Sequence, residues 1–159
     1  MSRWLFVAGV VLALGMSSPA LAQDAHVGTW KQNFAKSKQV PPPAGPQPQS
    51  IMRTYEMFGD GLKATIVTVS PDGMRTTASY SAHFDGKDYP YIGNQTIDTI
   101  ALTRIDNYSF ESVNKKAGKV IASGTNVVSQ NGKTMTYTSK GANAQGQAIT
   151  SAVQVSEKQ

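Results

Sequence analysis

His26-Val27-Gly28-Thr29-Trp30-Lys31 is the stretch of sequence that decides the fold. It is followed by short segments rich in Thr, Val, Ile and Tyr, which are separated by turn signals such as Gly59-Asp60-Gly61 and Asp72-Gly73. Tight hairpin turns need positive φ angles, which Gly adopts freely and Asn or Asp adopt with moderate ease. A Gly-x-Trp at the head of such a series predicts a small closed β-barrel whose first strand carries Trp30 as a structural plug.

The spacing of the turn signals, roughly 11 to 14 residues, predicts strands of about 7 to 10 residues. No segment after residue 22 has an apolar stripe with the 3.6-residue period of a helix. We therefore expect an all-β protein, an antiparallel up-and-down meander of eight to ten strands that closes into a barrel and so removes its exposed edges. The predicted strands are 27–33, 51–58, 62–69, 74–84, 98–105, 108–114, 120–129, 134–140 and 148–157, with an irregular stretch between 85 and 97.

The first 22 residues predict a cleavable signal peptide. Arg3 supplies a positive start, residues 4–16 are apolar, and Ala20-Leu21-Ala22 has the small-x-small pattern of a cleavage site. The alternative is a membrane anchor, but the apolar run is shorter than the about 20 residues that a spanning helix needs. We expect a periplasmic or secreted protein with one domain at 23–159. The absence of cysteine excludes disulfides and a lipid anchor on cysteine.

A proline-rich loop is predicted at residues 36–50. Its prolines are Pro41, Pro42, Pro43, Pro46 and Pro48. Proline has no N–H to donate to a strand ladder, so the segment should be extended and outside the sheet. A loop of this length in a compact domain is usually either functional or poorly ordered, and the sequence leaves both alternatives open.

Alternation along the predicted strands gives the candidate ligand-binding residues. The aromatic candidates on one face of their strands are Tyr55, Tyr80, Phe110 and Tyr137. They either line a cavity or fill it, because a barrel of about eight strands can be packed solid or can hold one small ligand. Arg53 and Arg104 are candidates for orienting an anionic ligand, since the arginine fork suits a carboxylate, although such residues often face solvent.

Motifs for catalysis and for metal binding are missing from the sequence. His26 and His83 are the only histidines, and there is neither a His-Glu-x-x-His motif nor a Gly-x-Ser-x-Gly elbow. His83 lies near Asp85 and Asp88, but aspartates are ordinary turn residues. We expect no enzyme, no catalytic residue, no metal and no cofactor.

The charges of the chain are dispersed. Of 15 basic residues, Arg3 lies in the signal, so 14 basic residues stand against 10 acidic ones, a net charge of +4. Nucleic-acid binding usually needs a basic face with interleaved aromatic residues, which the sequence lacks. The predicted outward faces carry Lys, Arg and Thr, which argues against an integral outer-membrane barrel.

Gly28-Thr29-Trp30 resembles the start of the first strand in the lipocalin and fatty-acid-binding protein superfamily, the calycins. With Ala35-Lys36-Ser37-Lys38 and Asp85-Gly86-Lys87-Asp88-Tyr89-Pro90, the chain is similar to small exported bacterial proteins of uncharacterised function, treated as lipocalin-like. The resemblance implies that Trp30 lies at the closed end under a basic side chain from a late strand. No arginine follows Arg104, so Arg104 or a lysine is expected in that place.

The sequence is compatible with two alternative functions. The first is non-enzymatic binding of a small apolar or amphipathic ligand inside the barrel. The alternative is a solid-packed barrel that acts through its surface as a protein-interaction or envelope-stress module. The oligomeric state is not predicted by the sequence.

Overall fold

The computed structural model describes residues 24–142 and 148–159. The predicted signal peptide at 1–22 lies outside the described residues. In the described part of the chain, ten β-strands form and no helix is long and apolar enough to cross a membrane. The strands are β1 (Gly28–Val40), β2 (Ser50–Phe58), β3 (Gly61–Val69), β4 (Arg75–Ala82), β5 (Tyr89–Ile92), β6 (Thr99–Asp106), β7 (Ser109–Lys116), β8 (Lys119–Val128), β9 (Thr134–Ala142) and β10 (Ala148–Lys158).

Each strand pairs antiparallel with the next one along the chain, and β1 also pairs with β10, which closes the barrel. This arrangement confirms the predicted all-β meander and its closure. The Asp-Gly and Asn-Gly turns form as expected. Gly73 and Gly132 have positive φ angles, and the Asp72 and Asn131 carboxyl and amide oxygens accept the backbone N–H groups of Met74 and Lys133 at 3.1 Å.

Two predictions about strand boundaries were wrong. β1 extends to Val40, so the proline-rich loop is not 36–50 but begins at Pro41 and ends before β2. Between Asn33 and Lys38 the pairing of β1 with β10 is interrupted by a bulge. Ser37 Oγ spans the bulge, because it donates to the Asn33 carbonyl at 2.7 Å and accepts the Val155 N–H at 3.0 Å.

The second wrong boundary is at β5, which lies in the stretch predicted to be irregular. β5 contains Pro90 and forms only two residue pairs with β4 and two with β6. A proline in a strand removes one ladder hydrogen bond, and this explains both the weak sequence signal and the short pairing.

The antiparallel order gives the barrel two ends. The Trp30 end holds the start of β1 and the connections β2–β3, β4–β5, β6–β7 and β8–β9. The proline-loop end holds residues 41–49 and the connections β3–β4, β5–β6, β7–β8 and β9–β10. The core is densest at the Trp30 end. Its fully buried side chains include Trp30, Leu62, Leu102, Phe110 and Val128.

Candidate functional site

A cavity of about 340 Å³ lies inside the barrel, between the buried core and the proline-loop end. Its position follows from strand alternation, because the inward residues above the core are smaller or more polar than those in it. Asn94 and Ile97, from the β5–β6 connection, line the cavity, so it extends to the proline-loop end. The volume is at the lower limit of the about 300–1,000 Å³ that is typical of small-molecule sites.

Four tyrosines form the aromatic part of this cavity: Tyr55, Tyr80, Tyr91 and Tyr137. The rings of Tyr80 and Tyr91 lie 5.2 Å apart between centroids, a distance typical of interacting aromatic pairs. Burial raises the pKa of Tyr91 to about 12 and the pKa of Tyr80 well above its ordinary value. These phenols therefore remain protonated at neutral pH and can donate hydrogen bonds to a ligand.

Arg53 is the one charged side chain among the described residues that line the cavity. It is half-buried on the inward face of β2, where its Nη1 donates to Gln32 Oε1 at 3.1 Å and its Nη2 donates to Gln154 Oε1 at 2.8 Å. Both partners are neutral amides, and within the described part of the chain Arg53 forms no ion pair. A half-buried guanidinium that has only neutral partners attracts an anionic group, so the cavity is favourable for an anionic ligand.

The opposite wall supplies hydrogen-bond acceptors. Asn114, on β7, lines the cavity, and its buried Oδ1 has no hydrogen-bond partner among the described residues. Ser112 Oγ, on the same strand, donates to the Tyr137 hydroxyl at 3.4 Å. Leaving a buried acceptor without a donor destabilises the protein by about 1–3 kcal/mol. A hydrogen bond from a ligand hydroxyl or amide would remove this cost.

A second cavity of about 190 Å³ lies under the proline-rich loop. It forms because β1 pairs with β2 only over Gly28–Lys31, after which the two strands separate. Gln49 anchors the end of the loop, since its backbone N–H donates to the Val69 carbonyl at 2.8 Å and its Nε2 donates to the Pro71 carbonyl at 3.0 Å. Ile51 and Gln154 line both cavities, so the two spaces are neighbours.

The structure brings only some of the predicted site residues together. Arg53, Tyr55, Tyr80 and Tyr137 line the central cavity. Phe110 does not, since it is fully buried at the Trp30 end, where its ring centroid lies 4.6 Å from that of His26 and 5.5 Å from that of Phe84. Arg104 is also at the Trp30 end, with its guanidinium carbon 3.6 Å from the centre of the Phe84 ring.

A buried polar network at the Trp30 end was missed by the sequence analysis. Asp24 forms an ion pair with Arg104 and binds the ring of the fully buried His26, with Oδ1 3.0 Å from Nδ1. Although burial alone raises the pKa of Asp24, hydrogen bonds from His26 and Arg104 and the charge of the guanidinium lower it to about 2. The network fixes residues 24–27 across this end of the barrel.

Trp30 is attached to the same segment. Its Nε1–H donates to the His26 carbonyl at 2.7 Å, and Lys158 Nζ lies 5.2 Å from the centre of its ring system. A lysine on the last strand thus occupies the place of the late basic side chain, and Arg104 has a different role. No sequence signal connects Asp24 to Arg104, because the two residues are distant along the chain.

Comparison of the sequence with models of protein families and with curated proteins finds no match. The structure is similar to a crystal structure of zebrafish ileal bile acid-binding protein complexed with cholic acid, with a TM-score of 0.50 and 16% sequence identity. The likeness covers 85% of this chain and 99% of that chain. At this identity it shows the fold, a closed ten-strand antiparallel barrel of the calycin type.

Proposed function

We propose that this protein binds a small amphipathic ligand in the central cavity and that Arg53 holds an anionic or strongly polar group of that ligand. The observation that carries the proposal is the guanidinium of Arg53, which lies in a tyrosine-lined cavity and is bonded to two neutral amides. A solid-packed barrel would have neither this space nor a reason to place an unpaired charge inside it.

The chemistry of the walls indicates what the ligand carries. The aromatic faces of Tyr80 and Tyr91 suit an apolar or planar part, and Arg53 suits a carboxylate, sulfonate or phosphate. A cationic ligand would meet the guanidinium with no acidic residue in the described lining to offset the repulsion. The similar zebrafish protein carries a bile acid, which agrees with a barrel of this shape holding an amphipathic molecule. Export to the periplasm or medium, without catalysis, completes the proposal.

The test is a fluorescence titration with two apolar dyes, anilinonaphthalene sulfonate, which is anionic, and Nile red, which is neutral. We expect the native protein to bind both with dissociation constants of about 1–10 μM, typical of small ligands held mainly by apolar burial. Arg53→Gln should raise the dissociation constant of the anionic dye about tenfold, because it removes a charge-assisted contact. The dissociation constant of Nile red should change by less than about twofold.

The second part of the test is a substitution that fills the cavity. Ala122 lines the cavity, so Ala122→Phe should reduce the binding of both dyes, whereas Ala35→Phe, at an exposed position of β1, should change neither. Circular dichroism must show that the variants keep the native sheet signal, since these dyes also bind partly folded chains. If native protein binds neither dye, or if Ala122→Phe has no effect, the interior is not the ligand site and the surface-acting alternative is favoured.

A further inference from the structure

The charges of the barrel are divided unequally between its two ends. The connections and strand ends of the proline-loop end, with Asp88 counted beside its ion-pair partner Lys115, carry six basic and three acidic residues, a net charge of +3: Lys38, Arg75, Lys115, Lys116, Lys119 and Lys140 against Asp72, Asp88 and Asp98. At the Trp30 end, with Lys36 counted beside its ion-pair partner Glu157, seven basic and seven acidic residues give a net charge of zero: Lys31, Lys36, Lys63, Lys87, Arg104, Lys133 and Lys158 against Asp24, Glu56, Asp60, Asp85, Asp106, Glu111 and Glu157. The dispersed charge of the sequence is therefore polarised by the fold.

Most of the basic side chains at the proline-loop end are available to a partner. Lys115 and Lys116 are neutralised by Asp88 and Asp98, with Nζ to Oδ distances of 2.8 and 2.6 Å. The other four are exposed and form no ion pair with any residue in 24–142 or 148–159: Lys38, Arg75, Lys119 and Lys140.

Exposed apolar side chains accompany these cations. Val40, Met74 and Ile92 are 64%, 59% and 66% exposed, and each lies at a strand end or turn of the proline-loop end. Met74 directly precedes Arg75, and the exposed Val120 directly follows Lys119. Apolar residues beside cations suit an anionic lipid surface, where the charges meet headgroups and the apolar groups reach the acyl boundary.

The charge decides which end of the barrel would meet such a surface. The Trp30 end also exposes apolar residues, among them Met57 and Ile105, but its basic and acidic residues balance and it has no excess positive charge. We propose that the protein docks on an anionic lipid surface through its proline-loop end. In this orientation the cavity, which extends to Asn94 and Ile97, faces the membrane, and an amphipathic ligand has a short path between lipid and barrel. The docking itself does not depend on the ligand proposed above.

The test measures co-sedimentation of the protein with vesicles of phosphatidylcholine alone and of an equimolar mixture with phosphatidylglycerol. We expect binding to the mixed vesicles only, weakened by added salt because exposed charges are screened. Arg75→Glu with Lys119→Glu should lower the partition coefficient at least about tenfold. Lys31→Glu with Lys133→Glu changes the net charge equally but at the other end, a strand length of roughly 20–30 Å away, and should lower it less than about threefold.

Each outcome decides the proposal. Equal loss in the two double variants would show that net charge acts without orientation, and would overturn it. Absence of binding to mixed vesicles at low salt would also overturn it, as would binding to a soluble polyanion such as heparin with none to vesicles. Met74→Ser should weaken vesicle binding without affecting heparin binding, because it removes the apolar side chain and leaves the charge unchanged, and so it separates apolar insertion from charge alone. Loss of dye binding in Arg53→Gln leaves these results unchanged, so the two proposals fail separately.

Discussion

Trp30→Ala is the substitution that should damage the barrel most. The indole is fully buried, lies under Lys158, and donates its Nε1–H to the His26 carbonyl at 2.7 Å. Through this bond Trp30 also holds the segment that contains Asp24 and His26. The substitution therefore affects the core and the closure of the Trp30 end together.

The magnitude has two parts. Deleting a large buried aromatic side chain costs about 3–5 kcal/mol, because the transfer free energy is lost and a cavity remains. The His26 carbonyl also loses its donor, at about 1–3 kcal/mol if water does not reach it. We expect a total of about 4–8 kcal/mol, which is close to the whole stability of a small domain. Trp30→Phe keeps much of the apolar volume, so it should cost about 2–3 kcal/mol, mainly through the hydrogen bond and the smaller ring.

The assay is urea unfolding followed by far-ultraviolet circular dichroism, since the substitution removes the tryptophan fluorophore. Tyr108→Ala is the control, because Tyr108 is an aromatic residue in the exposed β6–β7 connection and should cost less than about 1 kcal/mol. A loss below about 2 kcal/mol for Trp30→Ala, or one equal to that for Tyr108→Ala, would refute the reasoning that Trp30 closes the barrel.

Two further predictions concern the ends of the barrel. The pKa of Asp24 is lowered from 3.8 to about 2, so the stabilisation by its carboxylate, about 2 kcal/mol, is present above pH about 4 and is lost as the pH falls toward 2. Urea midpoints between pH 2 and 5 should therefore fall less steeply in Asp24→Asn than in the native protein, and parallel curves would contradict the pairing. Gly61→Ala should cost about 3 kcal/mol or more, because a Cβ there would lie 1.9 Å from the Ala82 carbonyl oxygen. Gly73→Ala, with a positive φ angle but open surroundings, should cost only about 1–2 kcal/mol, and equal losses in thermal unfolding would refute the contact argument.

The fold was predictable from the sequence because its information is local. Pairs such as Asp72-Gly73 and Asn131-Gly132 mark hairpin turns whose geometry requires them, and the strands between them differ by a residue or two from those expected. β5 was missed because Pro90 weakens the strand pattern and the pairing is made by only a few residues. The end of β1 was misplaced because its pairing resumes on β10 after a bulge, which depends on Val155 and other residues far along the chain.

The candidate site was predictable only in part. Alternation shows which residues face inward but not how far along the barrel axis they lie. Tyr80 and Tyr137 are therefore indistinguishable by pattern from Phe110, although the first two line the cavity and the last is in the core. Arg104 was a reasonable candidate for binding an anionic ligand. The anion that it binds is the carboxylate of Asp24, which lies in a segment without any strand periodicity. Such pairings are tertiary and leave no mark in either local sequence.

Amide chemical-shift mapping by NMR tests the central claim, that the barrel interior is a ligand site, most directly. One equivalent of anilinonaphthalene sulfonate should perturb the amides of cavity-lining residues such as Arg53, Tyr80 and Asn114. The amides around Leu62 and Phe110, in the packed core at the Trp30 end, should move little. Perturbations that are confined to outward-facing residues, with Arg53 and Asn114 unchanged, would contradict the claim.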